Sequence, residues 1–172
     1  MADKASFEIV ATRPEHMRSF RRTLDSVARE RRFLTLLEAP PLEETEGFVR
    51  QFFENNWPHF VALDGGEVVG WCDIRRHFFA AHAHRGTLGM GLLAAHRRKG
   101  LGLRLIQMAL DRAERLGFVR VELDVHADNA PAIALYEKVG FIREGVMRNA
   151  FFADGAYRDA IAMSVIYEGN KE

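Results

Sequence analysis

Seven consecutive residues, His96, Arg97, Arg98, Lys99, Gly100, Leu101 and Gly102, open directly into an amphipathic stretch that runs to Leu116. Residues of these types in this order can hold a phosphate. Glycine lets the backbone approach a ligand with no Cβ in between, and a helix beginning there aims unpaired N–H groups and the positive end of its dipole outward. Arg97, Arg98 and Lys99 add charge-assisted donors, so a pyrophosphate would meet both backbone and side-chain partners. The plainer reading is a solvated basic loop ahead of a helix. Common nucleotide fingerprints do not describe the segment: no G-x-x-x-x-G-K-[ST] occurs, and Leu105 stands where the third glycine of a dinucleotide motif would follow Gly100 and Gly102. Gly89, Gly91 and Ala94 match that motif loosely, but His82 to Thr87 before them are too polar for a buried parallel strand.

Further along stand Asn129, Ala130, Pro131, Ala132, Ile133, Ala134, Leu135 and Tyr136, followed by Val139, Gly140 and Phe141. Asn129 reads as an N-cap and Gly140 as the left-handed stop of a short helix. Seven residues separate Asn129 from Tyr136, so they share a helix face at roughly 10 Å along the axis. Such a face is a groove wall with an amide at one end and a phenol at the other. In the plainer reading Asn129 only caps and Tyr136 packs in the core.

Taken together, the order strand, Arg97 x x Gly100 x Gly102, helix, strand, Asn129 x x Ala132 x x Leu135 Tyr136, then Gly140 Phe141, resembles the GNAT acetyltransferase superfamily, from about Thr87 to Phe141. The resemblance implies acetyl-CoA as co-substrate, with Arg97, Arg98, Lys99, Gly100, Leu101 and Gly102 wrapping its pyrophosphate. It implies that the preceding strand, Leu88 to Leu93, carries a bulge and splays from its neighbour, leaving backbone groups near Leu92 for the pantetheine arm. An exposed N–H there could also stabilise the oxyanion of a thioester under attack. Gly89 and Gly91 suit such a strand. By the same resemblance Asn129 contacts the pantetheine side and Tyr136 lies near the sulfur, where a phenol of ordinary pKa ~10 can protonate a leaving thiolate. No covalent enzyme intermediate is needed. Free choice of acceptor remains: small amines or amino acids come first and protein N-termini second.

One position departs from the pattern. Where many members place a glutamate as the base that relieves the amine of its proton, this chain has Thr87, which cannot take it. His126, Asp124, Glu144, Asp159 or a water chain stay open for the role. Thr87 also favours a rival reading, an acyl-CoA sensor without catalysis; a hydride-transferring dinucleotide enzyme would rest on the loose Gly89 match alone. Glu38, ahead of Pro40 and Pro41, could meet an ammonium group, because in the resembling family the connection between the first two helices walls the acceptor. Tyr157 falls in a tail, Glu144 to Met163, similar to those of the ribosomal-protein alanine and diamine acetyltransferases, and is the second acceptor-side candidate.

The elements that must position these residues read as one α/β domain over residues 1–172, a mixed sheet of about seven strands with flanking helices. Phe7 to Ala11 is a first strand, Thr12 and Glu15 form a capping box around Pro14, and Met17, Phe20, Leu24 and Val27 mark a helix face. A second helix spans Leu42 to Asn55, and Asp64, Gly65 and Gly66 turn a hairpin between His59 to Leu63 and Glu67 to Arg75. Leu101, Leu105, Met108 and Ala109 line one side of the long helix; Val119, Val121, Leu123 and Val125 alternate in the next strand; Asp154 and Gly155 turn a last hairpin. A chain of 172 residues buries about 70% of its extended surface, enough for one core. With 24 basic and 24 acidic residues, nothing points to a nucleic-acid partner. The polar start Met1, Ala2, Asp3, Lys4 and the lack of a long apolar run point to a cytoplasmic protein with no membrane partner. A homodimer is expected from exposed strands. Cys72, the single cysteine, reads as an inert strand thiol. His77, His82 and His84 lack a third rigid ligand, so no metal is expected. Glu43, Glu44 and Glu46 begin a helix, where its dipole already favours carboxylates.

Overall fold

The computed structural model describes residues 7–168. Strand β1 (Glu8–Ala11) leads into a single 3-10 turn at Pro14–His16 and helix α1 (Met17–Arg29). Helix α2 (Leu42–Asn55) follows, then the hairpin β2 (His59–Asp64) and β3 (Glu67–Arg76), strand β4 (Arg85–Leu92) and helix α3 (Leu101–Arg115). Strand β5 (Arg120–His126), helix α4 (Ala130–Lys138) and the hairpin β6 (Ile142–Ala153) and β7 (Ala156–Ile166) complete the chain. The seven strands form one sheet in the order β1-β2-β3-β4-β5-β7-β6. All neighbours run antiparallel except β4 and β5, which are parallel.

Each face of the sheet carries its own helices, as alternation along the strands requires. Met17, Phe20, Leu24 and Val27 of α1 and Val49 of α2 pack on Val61, Val68 and Trp71. On the opposite face Leu101, Leu105, Ile106 and Ala109 of α3, with Ile133 and Tyr136 of α4, cover Cys72, Ile74, Leu88, Val121, Leu123 and Met163. Beneath α3, Gly86 is required by close approach: a Cβ there would sit 2.6 Å from the Phe118 ring.

Several expectations are corrected. Thr12 does not cap the first helix; its hydroxyl is buried against His59 Nδ1 at 2.7 Å, and the turn is closed by the Arg13 N–H donating to His16 Nδ1 instead. Strand β4 starts at Arg85, so the polar residues Arg85 to Thr87 do lie in the parallel pair. Their polarity is satisfied sideways, Arg85 Nη2 meeting Glu122 Oε1 of β5 at 2.6 Å. The bulge expected on this strand is absent from its ladder with β3, which runs unbroken from Gly86 to Leu92; shifts fall instead at Ala62/Leu63 and along β6. Met108 and Val119 are more than a third exposed, Met108 at the margin of the buried helix face and Val119 one residue ahead of β5.

Candidate active site

Strands β4 and β5 part company early. Their parallel pairing covers Arg85 to Thr87 against Arg120 to Glu122 and goes no further, although β4 continues to Leu92 and β5 to His126. From Leu88 onward β4 is held by β3 alone. The Leu93 N–H donates to Val69 O at 2.9 Å, and because hydrogen-bonded positions alternate in an antiparallel pair, Gly91 and Gly89 also bond toward β3. Met90 and Leu92 therefore turn their N–H and C=O groups toward the gap. The splay arises without a bulge: β5 is held by β7, pairing along its whole length.

At the head of this gap lies the glycine-rich segment. Gly100 is the N-cap of α3 with φ 78°, and Arg98 also takes a left-handed φ of 59°. The first intrahelical bond is donated by Arg104 to Gly100 O, which leaves the N–H groups of Leu101, Gly102 and Leu103 without helical acceptors. Arg98, Lys99 and Gly100 are exposed, whereas Leu101 and Gly102 are buried. A Cβ on Gly102 would meet Leu135 at 3.3 Å, Leu92 at 3.4 Å and Met90 at 3.7 Å, so that glycine packs α3 against the gap's own walls. Arg97 differs from expectation. Its Nη1 meets Glu30 Oε2 at 2.9 Å, its Nη2 bonds the other Glu30 oxygen, its Nε donates to Leu92 O at 3.0 Å, and its guanidinium lies over Phe33. Arg97 thus braces the loop to the end of α1 and occupies the Leu92 carbonyl, leaving Arg98, Lys99 and backbone amides for an anion.

Helix α4 closes the other side. Asn129 Oδ1 accepts from the Ala132 N–H at 3.3 Å, the capping role read from its position. Tyr136 is buried in the α3–α4 core, 5.7 Å from Phe141, and its hydroxyl makes no hydrogen bond among the described residues. Burial, reinforced by nearby Cys72, pushes its phenol well above the ordinary value. Such a group holds its proton at neutral pH and can present it to a developing anion. Cys72 is fully buried with its thiol pushed up in turn, consistent with an inert strand residue.

On the α1–α2 face the same strands carry a different set of groups. Thr87 Oγ1 lies 3.2 Å from His77 Nε2, which also meets Glu122 Oε1 at 2.9 Å. Glu122 is further bonded to Arg85 and Arg120, which hold it below the carboxylate range despite burial. Glu144 is paired with Arg120, accepts from Ser164 Oγ at 2.7 Å and is held down to about 2, which removes it as a base. Asp159 accepts from the Asn149 N–H at 2.9 Å. His126 is buried, stacked on Phe151 at 3.8 Å, and burial lowers its pKa. Asp124 is exposed, its pKa raised by partial burial and by Glu122. A groove of about 290 Å³ runs along Arg85, Thr87, Arg120, Asp124 and Glu144. The two acceptor-side candidates stand apart from it: exposed Glu38 pairs with Arg29 at 3.2 Å, and Tyr157 packs on Phe152 near the tip of the last hairpin. His77 and His82 have ring centroids 5.9 Å apart, and among the described residues no group of three metal-ligating side chains occurs.

One residue of this face escaped the sequence reading. Asp73 sits in the middle of β3 at 7% exposure, opposite Gly89 of β4 and His59 of β2. A Cβ on Gly89 would lie 3.3 and 3.4 Å from its carboxylate oxygens. Burial pushes its pKa up to about 7, against the opposing influence of Arg75 and the Trp71 side chain. The available signal was an acidic residue inside the apolar run Val68 to Ile74.

Known proteins are similar to this chain in sequence and in fold. The sequence model of the Acetyltransferase (GNAT) family matches residues 24–141. N-alpha-acetyltransferase 30 of Schizosaccharomyces pombe is 28% identical over 111 residues, 63% of this chain and 74% of the relative. The [Ribosomal protein bS18]-alanine N-acetyltransferase of Escherichia coli is 39% identical over 70 residues, 41% of this chain and 47% of that protein. A GNAT superfamily phosphinothricin acetyltransferase from Sinorhizobium meliloti, solved in complex with AcCoA, superposes with a TM-score of 0.85 at 23% identity, over 96% of this chain and 91% of that one.

Proposed function

The chain belongs to the GNAT acetyltransferase family, and from that premise we propose that it transfers the acetyl group of acetyl-CoA to a primary amine of a small molecule or amino acid by direct attack in a ternary complex. One observation carries this reading: the gap between β4 and β5, where the Met90 and Leu92 backbone groups lack a strand partner, opens onto the free amides of the α3 N-terminus. An extended pantetheine arm can pair there as a strand would, and the pyrophosphate can rest on the helix end. Leu92 contributes its N–H, its carbonyl being occupied by Arg97. Arg98 and Lys99 supply charge, and Asn129 flanks the arm from the start of α4. Tyr136 donates toward the departing thiolate. Its raised pKa keeps the phenol protonated at neutral pH, so the proton is in place to hydrogen-bond the developing thiolate as the C–S bond breaks.

The experiment is release of free CoA from acetyl-CoA by the purified protein, against pools of amino acids, polyamines, aminoglycosides and short peptides. Release in an amine pool is expected; acetyl-CoA binding with no release in any pool would turn the reading toward a non-catalytic acyl-CoA sensor. A protein N-terminus is the second acceptor, favoured by the two relatives named above, whose names record N-alpha and ribosomal-protein alanine acetylation. Tyr136→Phe should lower turnover at least tenfold and leave acetyl-CoA affinity unchanged, as measured by steady-state kinetics and calorimetry. Unchanged turnover would remove Tyr136 from the chemistry.

A further inference from the structure

An ammonium acceptor must lose a proton before it can attack, and Thr87 cannot take it. We propose that Asp73, lying over the bare backbone of Gly89 on the face of β4 opposite α3, is the base that deprotonates the acceptor amine. The inference rests on the acetyl-transfer reading above. Beyond Thr87, Gly89 and Gly91 leave that face of β4 without side chains, and the Asp73 carboxylate leans across from β3 to within van der Waals distance of where a Gly89 Cβ would stand. It is thereby placed beside the strand whose other edge lines the proposed pantetheine gap.

The other carboxylates and the imidazoles of this face are engaged or unsuited, save Asp124, which lines the groove with no salt-bridge partner among the described residues and is the rival base that the test must separate. Glu122 and Glu144 are held by arginines, Asp159 caps the Asn149 amide, and His126 is buried under Phe151. His77 is shared by Thr87 and Glu122. The groups facing Asp73 are Trp71 and Arg75 from its own strand, His59 from β2 and Gly89 from β4. His59 is buried, pushed down to about 3 and bonded through Nδ1 to Thr12, so it stays neutral. No cation is salt-bridged to Asp73 among the described residues, and burial leaves its proton affinity near neutrality, where a general base is most effective. The proton count is simple. Asp73 takes one proton from the ammonium; the amine nitrogen forms its bond to the acetyl carbon as the C–S bond breaks; the thiolate takes the Tyr136 proton; the second amine proton and that on Asp73 pass to water, which restores Tyr136.

The test compares wild type, Asp73→Asn and Asp124→Asn with the acceptor found by CoA release, over pH 5.5–9. For wild type, kcat/KM should rise through an acidic limb near pH 7. Asp73→Asn should bind acetyl-CoA within about twofold of wild type, lose roughly 10²-fold in kcat and lose the limb. An acceptor amine already largely neutral at pH 7 should restore most of the lost rate, measured above the enzyme-free release of CoA. Equal kcat and an unchanged limb in Asp73→Asn, or the loss appearing in Asp124→Asn instead, overturns the proposal while leaving acetyl transfer intact. Wild type that binds acetyl-CoA and releases none with any amine overturns the acetyl-transfer reading and Asp73's role with it. Should Asp73→Asn fail to fold, the Asp73 13Cγ shift of wild type is titrated: a midpoint matching the kinetic limb supports the assignment, and one two or more pH units away sinks it.

Discussion

Two buried titratable side chains, His59 and Asp73, stand opposite each other on β2 and β3 and affect stability with opposite signs. His59 is pushed from 6.5 down to about 3 by burial. Between those values the unfolded chain binds a proton that the folded chain refuses, so this residue's share of stability is present above 6.5 and is lost as pH falls. Asp73 is pushed from 3.8 up to about 7. Here the folded chain keeps a proton the unfolded chain has lost, so stability declines as pH rises from 4 to 7 and stays lower above. Asp73→Asn removes the second effect only. It should be more stable than wild type at pH 8 by a few kcal/mol and no more stable near pH 4, a difference that urea denaturation at the two pH values would read. Equal stability at pH 8 would mean that Asp73 titrates like an exposed carboxylate.

At the scale of elements, β4 concentrates the demands on backbone. A Cβ on Gly91 would come within 2.3 Å of the Trp71 ring, which is fixed beneath α1. Gly91→Ala should therefore cost about 1–3 kcal/mol in thermal or urea unfolding. Gly102→Ala, whose Cβ would meet only mobile tips of Leu135, Leu92 and Met90, should cost much less, while Gly102→Asp should weaken acetyl-CoA binding by placing charge in that apolar wall. These elements were largely legible beforehand. Helix α2 was read at its observed bounds, and Asn129, Gly140 and the last hairpin fell where capping and turn chemistry put them, because those signals are local. What stayed hidden was non-local. Thr12 looks like a cap until His59 offers it a buried partner; Arg97 looks like a phosphate ligand until Glu30, far away in sequence, claims it. Asp73 is invisible to periodicity, since its meaning comes from the glycine placed across from it by β4.

For the whole molecule the decisive feature is that seven strands make one sheet through a single short parallel contact. The unpaired amides beyond it should become protected on ligand binding. Amide exchange at Met90, Leu92 and residues 101–103 should slow with acetyl-CoA, while exchange in β1 and β6 should not; a uniform effect would argue against the gap as the cofactor path. At a concentration 100 times its Kd the ligand should also add about 2.7 kcal/mol to stability. The brief seam has a consequence for how the chain reaches this state. Strands β1 to β4 join through neighbours in sequence, apart from the helices between β1 and β2, and β6 with β7 form another hairpin. Joining β4 to β5 requires α3 to be made and to cross over first, bringing together residues such as Arg85 and Arg120 from either side of it. The cofactor groove is the open end of that same closure. A chain halted one step short, as when it is still leaving the ribosome, would hold its N-terminal hairpins and helices without being able to bind acetyl-CoA, so cofactor binding would mark the completed chain.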